Sequence, residues 1–213
     1  AAELIGAKLI GPLYGNSLYI WAAVLGITLF SLTLGYYIGG WLSARFQNLI
    51  LSLGILALIG GGLMLSVMPW LSLSIMTQLV EGDIVYGAVV SLLVFLFPTL
   101  FLFGLSTPLF ISILNQEAST SGKTSGFVYA ISTLGGIIST FSFGFYLMGN
   151  FGITWPSFYL GLIVVLACCI SIVWSRRYML FLSLLPFFLF YNIYHYKNLV
   201  SGNTEIVYES EGI

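Results

Sequence analysis

Long intervals without a charged side chain are the feature that most constrains the fold of this chain. They cover residues 9–44, 46–80, 84–116, 124–175 and, with His195 neutral, 178–196. A helix that crosses a bilayer needs about 20 apolar residues, so each interval is long enough for one or two crossings. Runs such as LLVFLF at residues 92–97 do not alternate between apolar and polar positions as barrel strands do. The intervals therefore predict an all-α integral membrane protein.

The composition excludes the other broad classes of protein. Charged residues make up 6% of the 213 residues and hydrophobic residues 59%, whereas a soluble domain has about 25% charged residues. Disorder requires low hydrophobicity and high charge, and this chain has the opposite. A net charge of −1 offers no basic surface for phosphates, so we expect no nucleic-acid partner.

Turn residues and prolines divide the intervals into about six transmembrane helices. Pro69 is expected to end the second helix, because proline lacks the N–H that continues the hydrogen-bond ladder. Residues 1–14 are interpreted as the end of a preceding membrane helix or a re-entrant segment, residues 15–197 as the bundle, and residues 198–213 as a polar tail. The expected spans are residues 17–44, 48–68, 84–114, 125–148, 155–175 and 178–194.

Basic residues predict the orientation of the bundle. Arg45, Lys123, Arg176 and Arg177 lie on alternate connections, while the opposing connections carry Glu81 and Asp83 or no charge. Positive residues near helix ends stay in the cytoplasm. We therefore expect the loops at 45, 115–124 and 176–177 to be cytoplasmic, which places the tail on the other side of the membrane.

Three groups of residues are candidates for a structural or functional role within the bundle. Small residues allow close helix approach in lipid, and the candidate packing glycines are Gly35, Gly39, Gly40, Gly135, Gly136 and Gly144. They indicate either bundle packing alone or faces that slide in a moving transporter. Pro98 and Pro108 are candidate kinks in the third long helix. Glu3 and Lys8 are a candidate buried polar pair, if residues 1–14 lie within the membrane.

No motif in the sequence indicates catalysis, a metal or a cofactor. Gly122-Lys123-Thr124 lacks the glycine that a phosphate-binding loop requires five positions before its Gly-Lys pair. Cys168 and Cys169 are adjacent and match no metal-ligand spacing. His195, the one histidine, lies between two tyrosines, as in an interfacial aromatic belt. We therefore expect this chain not to be an enzyme and to hold no cofactor.

The chain carries, in order, the segments LYGNSLYIW at residues 13–21, LGYYIGG at 34–40 and YAISTLGG at 129–136. With several shorter motifs, they resemble the multi-span membrane domain of a bacterial family in which this domain precedes a spermidine synthase-like domain. Lys8 and Trp41 depart from that family, which more often has an arginine and a basic residue there. The segments that carry the resemblance are residues 13–21 (LYGNSLYIW), 34–40 (LGYYIGG), 42–45 (LSAR), Phe97-Pro98 with Gly104, 107–109 (TPL), Ser125-Gly126, 129–136 (YAISTLGG) and Gly144-Phe145.

The resemblance implies a bundle like half of a major-facilitator transporter, joined to an aminopropyltransferase-like domain, in the bacterial inner membrane. Residues 205–210 (EIVYES) look like the first strand of such a domain, whose cofactor loop and catalytic aspartates have no counterpart in this chain. A tail outside the cell would be awkward for a cytosolic polyamine synthase, which leaves open a diverged domain or a last helix that does not cross.

Three hypotheses about function follow from these expectations. The first is a membrane module that anchors or scaffolds a spermidine synthase-like domain or a larger membrane complex, with lipid and that domain or partner subunits as its partners. The second is half of a carrier for a small solute, such as a polyamine. The third is the non-catalytic part of a membrane-bound aminopropyltransferase.

Overall fold

A computed structural model describes residues 2–15, 17–79, 84–114 and 121–174, and within these residues it is helical and contains no strand. The last predicted span, 178–194, and the tail lie outside the described residues. The helices are α1 (Ala2–Tyr14), α2 (Leu18–Arg45), α3 (Ile50–Leu79), α4 (Ile84–Leu114), α5 (Ser121–Phe141), α6 (Met148–Phe151) and α7 (Thr154–Trp174).

Irregular segments connect or extend several of these helices. A 3₁₀ turn, Gln47–Leu49, precedes α3, and a π-helical segment, Ser142–Leu147, continues α5 into α6. The side chain of Ser17 caps α2 by accepting a hydrogen bond from the Ile20 N–H at 3.4 Å, which satisfies one donor of its first turn. Gly152 has φ +68° and separates α6 from α7, because that backbone conformation is accessible to glycine and cannot continue a helix.

Five helical stretches are long and apolar enough to cross a membrane. They are Leu18–Arg45, Gln47–Ser72, Val85–Leu114, Gly122–Phe151 and Thr154–Val173. The second stretch extends past its expected end at residue 68, since α3 continues through Pro69 to Leu79. Pro69 leaves the Leu65 carbonyl without its helical donor, and membrane helices tolerate such an interruption. The Ser72 hydroxyl donates to the carbonyl of Pro69 itself at 2.9 Å.

The central helices lie in the order α2–α4–α3–α7. Helices α2 and α4 are parallel, with Phe30 beside Phe97 and Gly39 beside Leu105. Helix α3 is antiparallel to both α4 and α7, as shown by the contact of Ser66 with Phe158 and by the cluster that contains Ile55 and Ile172. Helix α1 packs against α2, α3 and α4. These directions are those expected of consecutive membrane crossings.

The directions bring Arg45 and Lys123 to one end of the bundle. Arg45 ends α2, whose last turns lie beside the last turns of α4, and Lys123 lies in the first turn of α5, which follows α4. Helix α7 ends at this same end, because Ile172 packs near the start of α3. We call it the basic end. Arg45 and Lys123 thus lie at one end, as the positive-inside rule favours, whereas Lys8 lies in the middle of α1.

Helix α5 differs from the other long helices in its surroundings. Nearly every side chain of residues 122–141 is exposed in the part of the chain that the structure describes. The π-helical segment that follows is anchored by Phe143, which is fully buried in the main core together with Ile5 and Ile10 of α1. Helix α5 is therefore held at its far end, and no other described part of the chain covers most of its surface.

Candidate functional site: glycine crossings, a half-buried carboxylate and an open helix face

The parallel pair α2 and α4 is joined at backbone contact. A Cβ atom added to Gly35 would lie 2.6 Å from the Phe101 carbonyl oxygen and 2.9 Å from the Leu105 nitrogen. A Cβ on Gly39 would overlap the Leu105 carbonyl oxygen and lie 2.6 Å from Cγ of Pro108. Two of the predicted packing glycines thus occupy positions where a side chain has no room.

A second glycine crossing, between α3 and α7, was missed by sequence reasoning. A Cβ on Gly161 would overlap both the Ser66 hydroxyl and the Gly62 carbonyl oxygen, and a Cβ on Gly62 would lie 3.0 Å from the Gly161 carbonyl oxygen. The signal that could have found it is the spacing of Gly62 and Ser66, which places two small residues one turn apart. In α7, Ser157 and Gly161 have the same spacing, so both helices of the crossing carry the signal.

The Ser66 hydroxyl lies inside this crossing. It donates to the Gly62 carbonyl of its own helix at 2.9 Å and approaches the Phe158 carbonyl of α7 at 3.4 Å. The ring of Trp70, one turn further along α3, meets Phe158 edge to face with the centroids 5.9 Å apart. Close backbones, a hydroxyl and an aromatic pair together join α3 to α7.

The other predicted packing glycines have few neighbours or none. Gly40, Gly135 and Gly136 would present an added Cβ to open space, with no atom of the described residues within 4 Å. Gly144 would meet Cδ1 of Leu4 at 3.8 Å, an ordinary contact. The glycine pattern therefore combines two kinds of position: crossings within the bundle and uncovered surface on α2 and α5.

Glu3 and Lys8 do not form a buried pair within the described residues. Lys8 is exposed and Glu3 is half-buried, because five residues along a helix turn the side chains to different faces. Eleven residues separate Glu3 from Tyr14 at the end of α1, a rise of about 16 Å. That distance is roughly half of the ~30 Å hydrocarbon layer, and α1 is not among the five described helical stretches that are long and apolar enough to cross a membrane.

Pro98 and Pro108 both lie inside α4, which is continuous through them. Nearby hydroxyls bond to backbone carbonyls: Thr99 donates to the Phe95 carbonyl at 2.9 Å and Ser106 to the Phe103 carbonyl at 2.7 Å. Pro108 also packs directly against Gly39. Both prolines, predicted as kinks, interrupt the hydrogen-bond ladder, and Pro108 also contributes to helix packing.

One face of α5 carries small and hydroxyl side chains at a heptad-like spacing. Large apolar residues lie on the opposite side, where they include Phe127, Ile131 and Ile138, all exposed. The face, which we call the small face, consists of Gly122, Gly126, Tyr129, Thr133, Gly136 and Thr140. The intervals of four and three residues keep these positions on one side of a helix.

The described residues bring together no group of three or more metal-ligating side chains. Within helices α2 to α7 the charged residues are Arg45 and Lys123, both at the basic end. The sequence matches no known protein-family model, and neither a curated protein nor a solved structure is significantly similar to it. The chain is therefore characterised by its own geometry: an all-helical protein with five membrane-compatible helices, compatible with a multi-pass membrane protein.

Proposed function

We propose that this chain is a membrane-embedded helical module that anchors or organises a soluble domain or a larger membrane complex. The observation that carries the proposal is the contrast between two sets of glycines. At Gly35, Gly39 and Gly161 the helices touch at backbone level, whereas Gly135 and Gly136 of α5 are uncovered. The helices of the bundle are fixed by close crossings, and one face of α5 is uncovered among the described residues. Such a bundle suits a scaffold that receives further helices.

The charge distribution supports the same proposal. Carriers for ions or cationic solutes place ionisable groups inside the bundle despite the energetic cost. Here the interior of helices α2 to α7 is free of them. The module lies in the bacterial cytoplasmic membrane with its basic end, and the loops at 45, 115–124 and 176–177, in the cytoplasm. A spermidine synthase-like domain is the soluble partner that the sequence resemblance suggests.

The native mass of the purified chain tests the proposal. The full chain, extracted in mild detergent, should run as an assembly larger than one chain, and Gly136→Leu should reduce that mass because leucine blocks close approach at the open face. Gly26→Leu is the matched control, since Gly26 on α2 is also exposed with no atom within 4 Å. A wild-type chain that runs as a single monomer, with neither a second copy nor another protein or domain bound to it, would contradict the proposed scaffold.

A carrier half, resembling half of a major-facilitator bundle, is the second candidate. Glu3 favours it, because this carboxylate is half-buried on a helix that packs against α2, α3 and α4, and ionisable groups inside a membrane bundle often mark proton and cation pathways. The buried hydroxyls of Tyr14 and Thr28 also lack a hydrogen-bond partner among the described residues. A ligand or a proton relay could use such groups.

Flux measurements distinguish the carrier from the scaffold. Liposomes containing the purified chain would take up labelled putrescine or spermidine if it is a carrier, and Glu3→Gln would abolish the uptake. Lys8→Ala serves as the comparison, because Lys8 is exposed on another face of α1. Uptake equal to that of protein-free liposomes is the result expected of a scaffold.

A further inference from the structure

The end of α2 carries an arginine over an exposed tryptophan ring. The guanidinium carbon of Arg45 lies 5.9 Å from the centre of the Trp41 ring, one turn earlier on the same helix. The Phe46 ring meets Trp41 edge to face, with the ring centroids 6.5 Å apart. Trp41 is 56% exposed and Phe46 is 40% exposed. We call these three residues the Arg45 cluster.

Backbone hydrogen bonds order the chain around the cluster. The Phe46 N–H donates to the Leu42 carbonyl at 2.9 Å, and the Phe46 carbonyl accepts from the Leu49 N–H at 2.9 Å. Both sides of Phe46 are therefore fixed where α2 ends. The contact between a guanidinium and an indole ring adds about 0.5–1 kcal/mol even at an exposed site. Arg45 is thus oriented before any ligand binds.

The hydrogen-bond donors of Arg45 are left available by this arrangement. The contact with Trp41 uses the face of the guanidinium, whereas its five N–H groups lie in the plane of that group. Among the described residues, Arg45 forms neither an ion pair nor a hydrogen bond. A planar fork of N–H groups matches two oxygens of a phosphate or a carboxylate. The cluster is therefore suited to an anion.

The position of the cluster along α2 selects the kind of anion. Helix α2 has 28 residues, which gives a length of about 42 Å. The hydrocarbon layer is about 30 Å thick, and the headgroup layers extend the bilayer to about 40–45 Å. With α2 across the membrane, its last turn lies among the lipid headgroups. The anions at that depth are phosphates joined to acyl chains.

An exposed aromatic side of α2 continues from the cluster towards the membrane centre. Phe30, Tyr37 and Trp41 are spaced by seven and four residues, which keeps them on one side of the helix. Phe30 is 52% exposed and Tyr37 is 75% exposed. An acyl chain attached to a phosphate at Arg45 can lie against these rings, whereas a soluble anion has no group that uses them.

The charges near Arg45 also favour an anion that is supplied from outside the chain. Lys123, the other charged residue of α2 to α7 at the basic end, is a second cation. Of the connections that the sequence places at this end, those at 45 and 176–177 carry no carboxylate, and the one at 115–124 carries only Glu117. Charge complementarity at this end therefore calls for a negatively charged partner.

We propose that the Arg45 cluster binds an anionic phospholipid, with the lipid phosphate on the Arg45 guanidinium and an acyl chain along the aromatic side of α2. The inference rests on the proposed membrane-embedded module and goes beyond it, because it names a lipid partner and the residues that select it. The positive-inside rule alone requires a positive charge at this position. The cluster adds a planar group held over an aromatic ring.

Native mass spectrometry of the full chain in detergent, with phosphatidylglycerol and phosphatidylcholine added in equal amounts, tests the proposal. The wild type should retain phosphatidylglycerol about tenfold more strongly, roughly the factor that one hydrogen bond to a charged group supplies. Arg45→Gln should abolish this preference. Arg45→Lys should weaken it, because an ammonium group keeps the charge and lacks the planar fork.

Lys123→Gln is the matched control, since it removes one exposed cation from the same end of the bundle. It should leave the lipid preference intact. Equal losses in Lys123→Gln and Arg45→Gln would mean that general attraction to positive charge accounts for the preference, and would overturn the proposed site. An Arg45→Lys variant that behaves as the wild type would do the same.

Two further measurements identify a different occupant. Inorganic phosphate in excess should not displace the lipid, because it has no acyl chain; displacement would mean that a soluble anion occupies the cluster. Glu117→Gln should leave the preference unchanged. A preference that appears only in Glu117→Gln would mean that this carboxylate occupies Arg45 in the wild type. Either result would overturn lipid binding.

Phosphatidylglycerol brominated on its acyl chains locates the lipid by quenching tryptophan fluorescence. In phosphatidylcholine vesicles that contain a small share of it, quenching should be greater in the wild type than in Arg45→Gln, and Trp41→Phe should remove the difference. Equal quenching in the wild type and Arg45→Gln would refute the contact with Trp41 and leave the scaffold standing. Recovery of the chain in the soluble fraction without detergent would instead refute the membrane-embedded module, and this inference with it.

Discussion

Replacing Gly161 with alanine should push α3 and α7 apart. The new Cβ atom would lie 2.8 Å from the Ser66 nitrogen, where ordinary contacts begin at 3.4 Å, and it would overlap the Gly62 carbonyl oxygen. Both obstacles are backbone atoms, which cannot rotate away as a side chain can. The two helices must therefore separate locally by at least about 0.6 Å, a gap that forfeits a quarter or more of the dispersion energy of the atoms around it.

The cost can be estimated from similar changes in packed interiors. Adding atoms to a well-packed interior lowers the free energy of unfolding by about 1–3 kcal/mol. Because the obstructing atoms here belong to the backbone, we expect a cost at the upper end of that range. Alanine is favoured over glycine in a helix by about 1 kcal/mol, which offsets part of the cost. We therefore expect Gly161→Ala to lower the free energy of unfolding by about 2 kcal/mol, equivalent to about a thirtyfold change in the unfolding equilibrium.

Reversible unfolding in mixed micelles with increasing SDS, followed by tryptophan fluorescence, measures this change. Gly26→Ala is the control, since its Cβ meets nothing within 4 Å. Adding Ser66→Ala to Gly161→Ala should recover part of the loss, because the Ser66 hydroxyl is one of the three obstructing groups. The free energies of unfolding of Gly161→Ala and Gly26→Ala are then compared. If they differ by less than about 0.5 kcal/mol, a range typical of surface changes, the crossing is looser than described and the reasoning fails.

Three further predictions concern other parts of the bundle. Gly39→Leu should greatly reduce the yield of folded protein, because α4 occupies the space beside it, whereas the open Gly40→Leu should be tolerated; size-exclusion profiles compare them. Gly152→Ala should cost about 1–3 kcal/mol in SDS unfolding, since its φ of +68° with ψ −161° suits glycine alone; an unchanged midpoint would contradict this. In cells, an impermeant maleimide should label Ser17→Cys and not Ser43→Cys, and labelling of both would refute the proposed orientation.

The helical, membrane-compatible character of this chain could be predicted from the sequence because it depends on local composition. A run of apolar residues long enough to cross a bilayer must form a helix there, whatever surrounds it. The end of α3 was less predictable. Pro69 removes one hydrogen bond, and whether the helix stops or continues depends on the packing around it, where Met68 and Ser72 are both fully buried.

The candidate glycines also show what could be predicted from the sequence and what could not. Gly35 and Gly136 look alike in the sequence, as members of glycine pairs or repeats in helical segments. In the fold, one lies against the backbone of α4 and the other has no atom within 4 Å. The glycine pattern in the sequence indicates that a close helix contact is possible. Which helix lies against the glycine, and how closely, depends on how segments far apart in the chain are brought together.

The sequence by itself determined that this chain forms apolar helices of membrane-crossing length with basic residues on alternate connections, because charge and hydropathy act on each segment separately. The tertiary structure decided which helices touch. It placed α2 parallel to α4, joined Gly62 to Gly161 and, among the described residues, left the small face of α5 uncovered. Those outcomes depend on contacts between residues far apart in the chain, which no local pattern of composition contains.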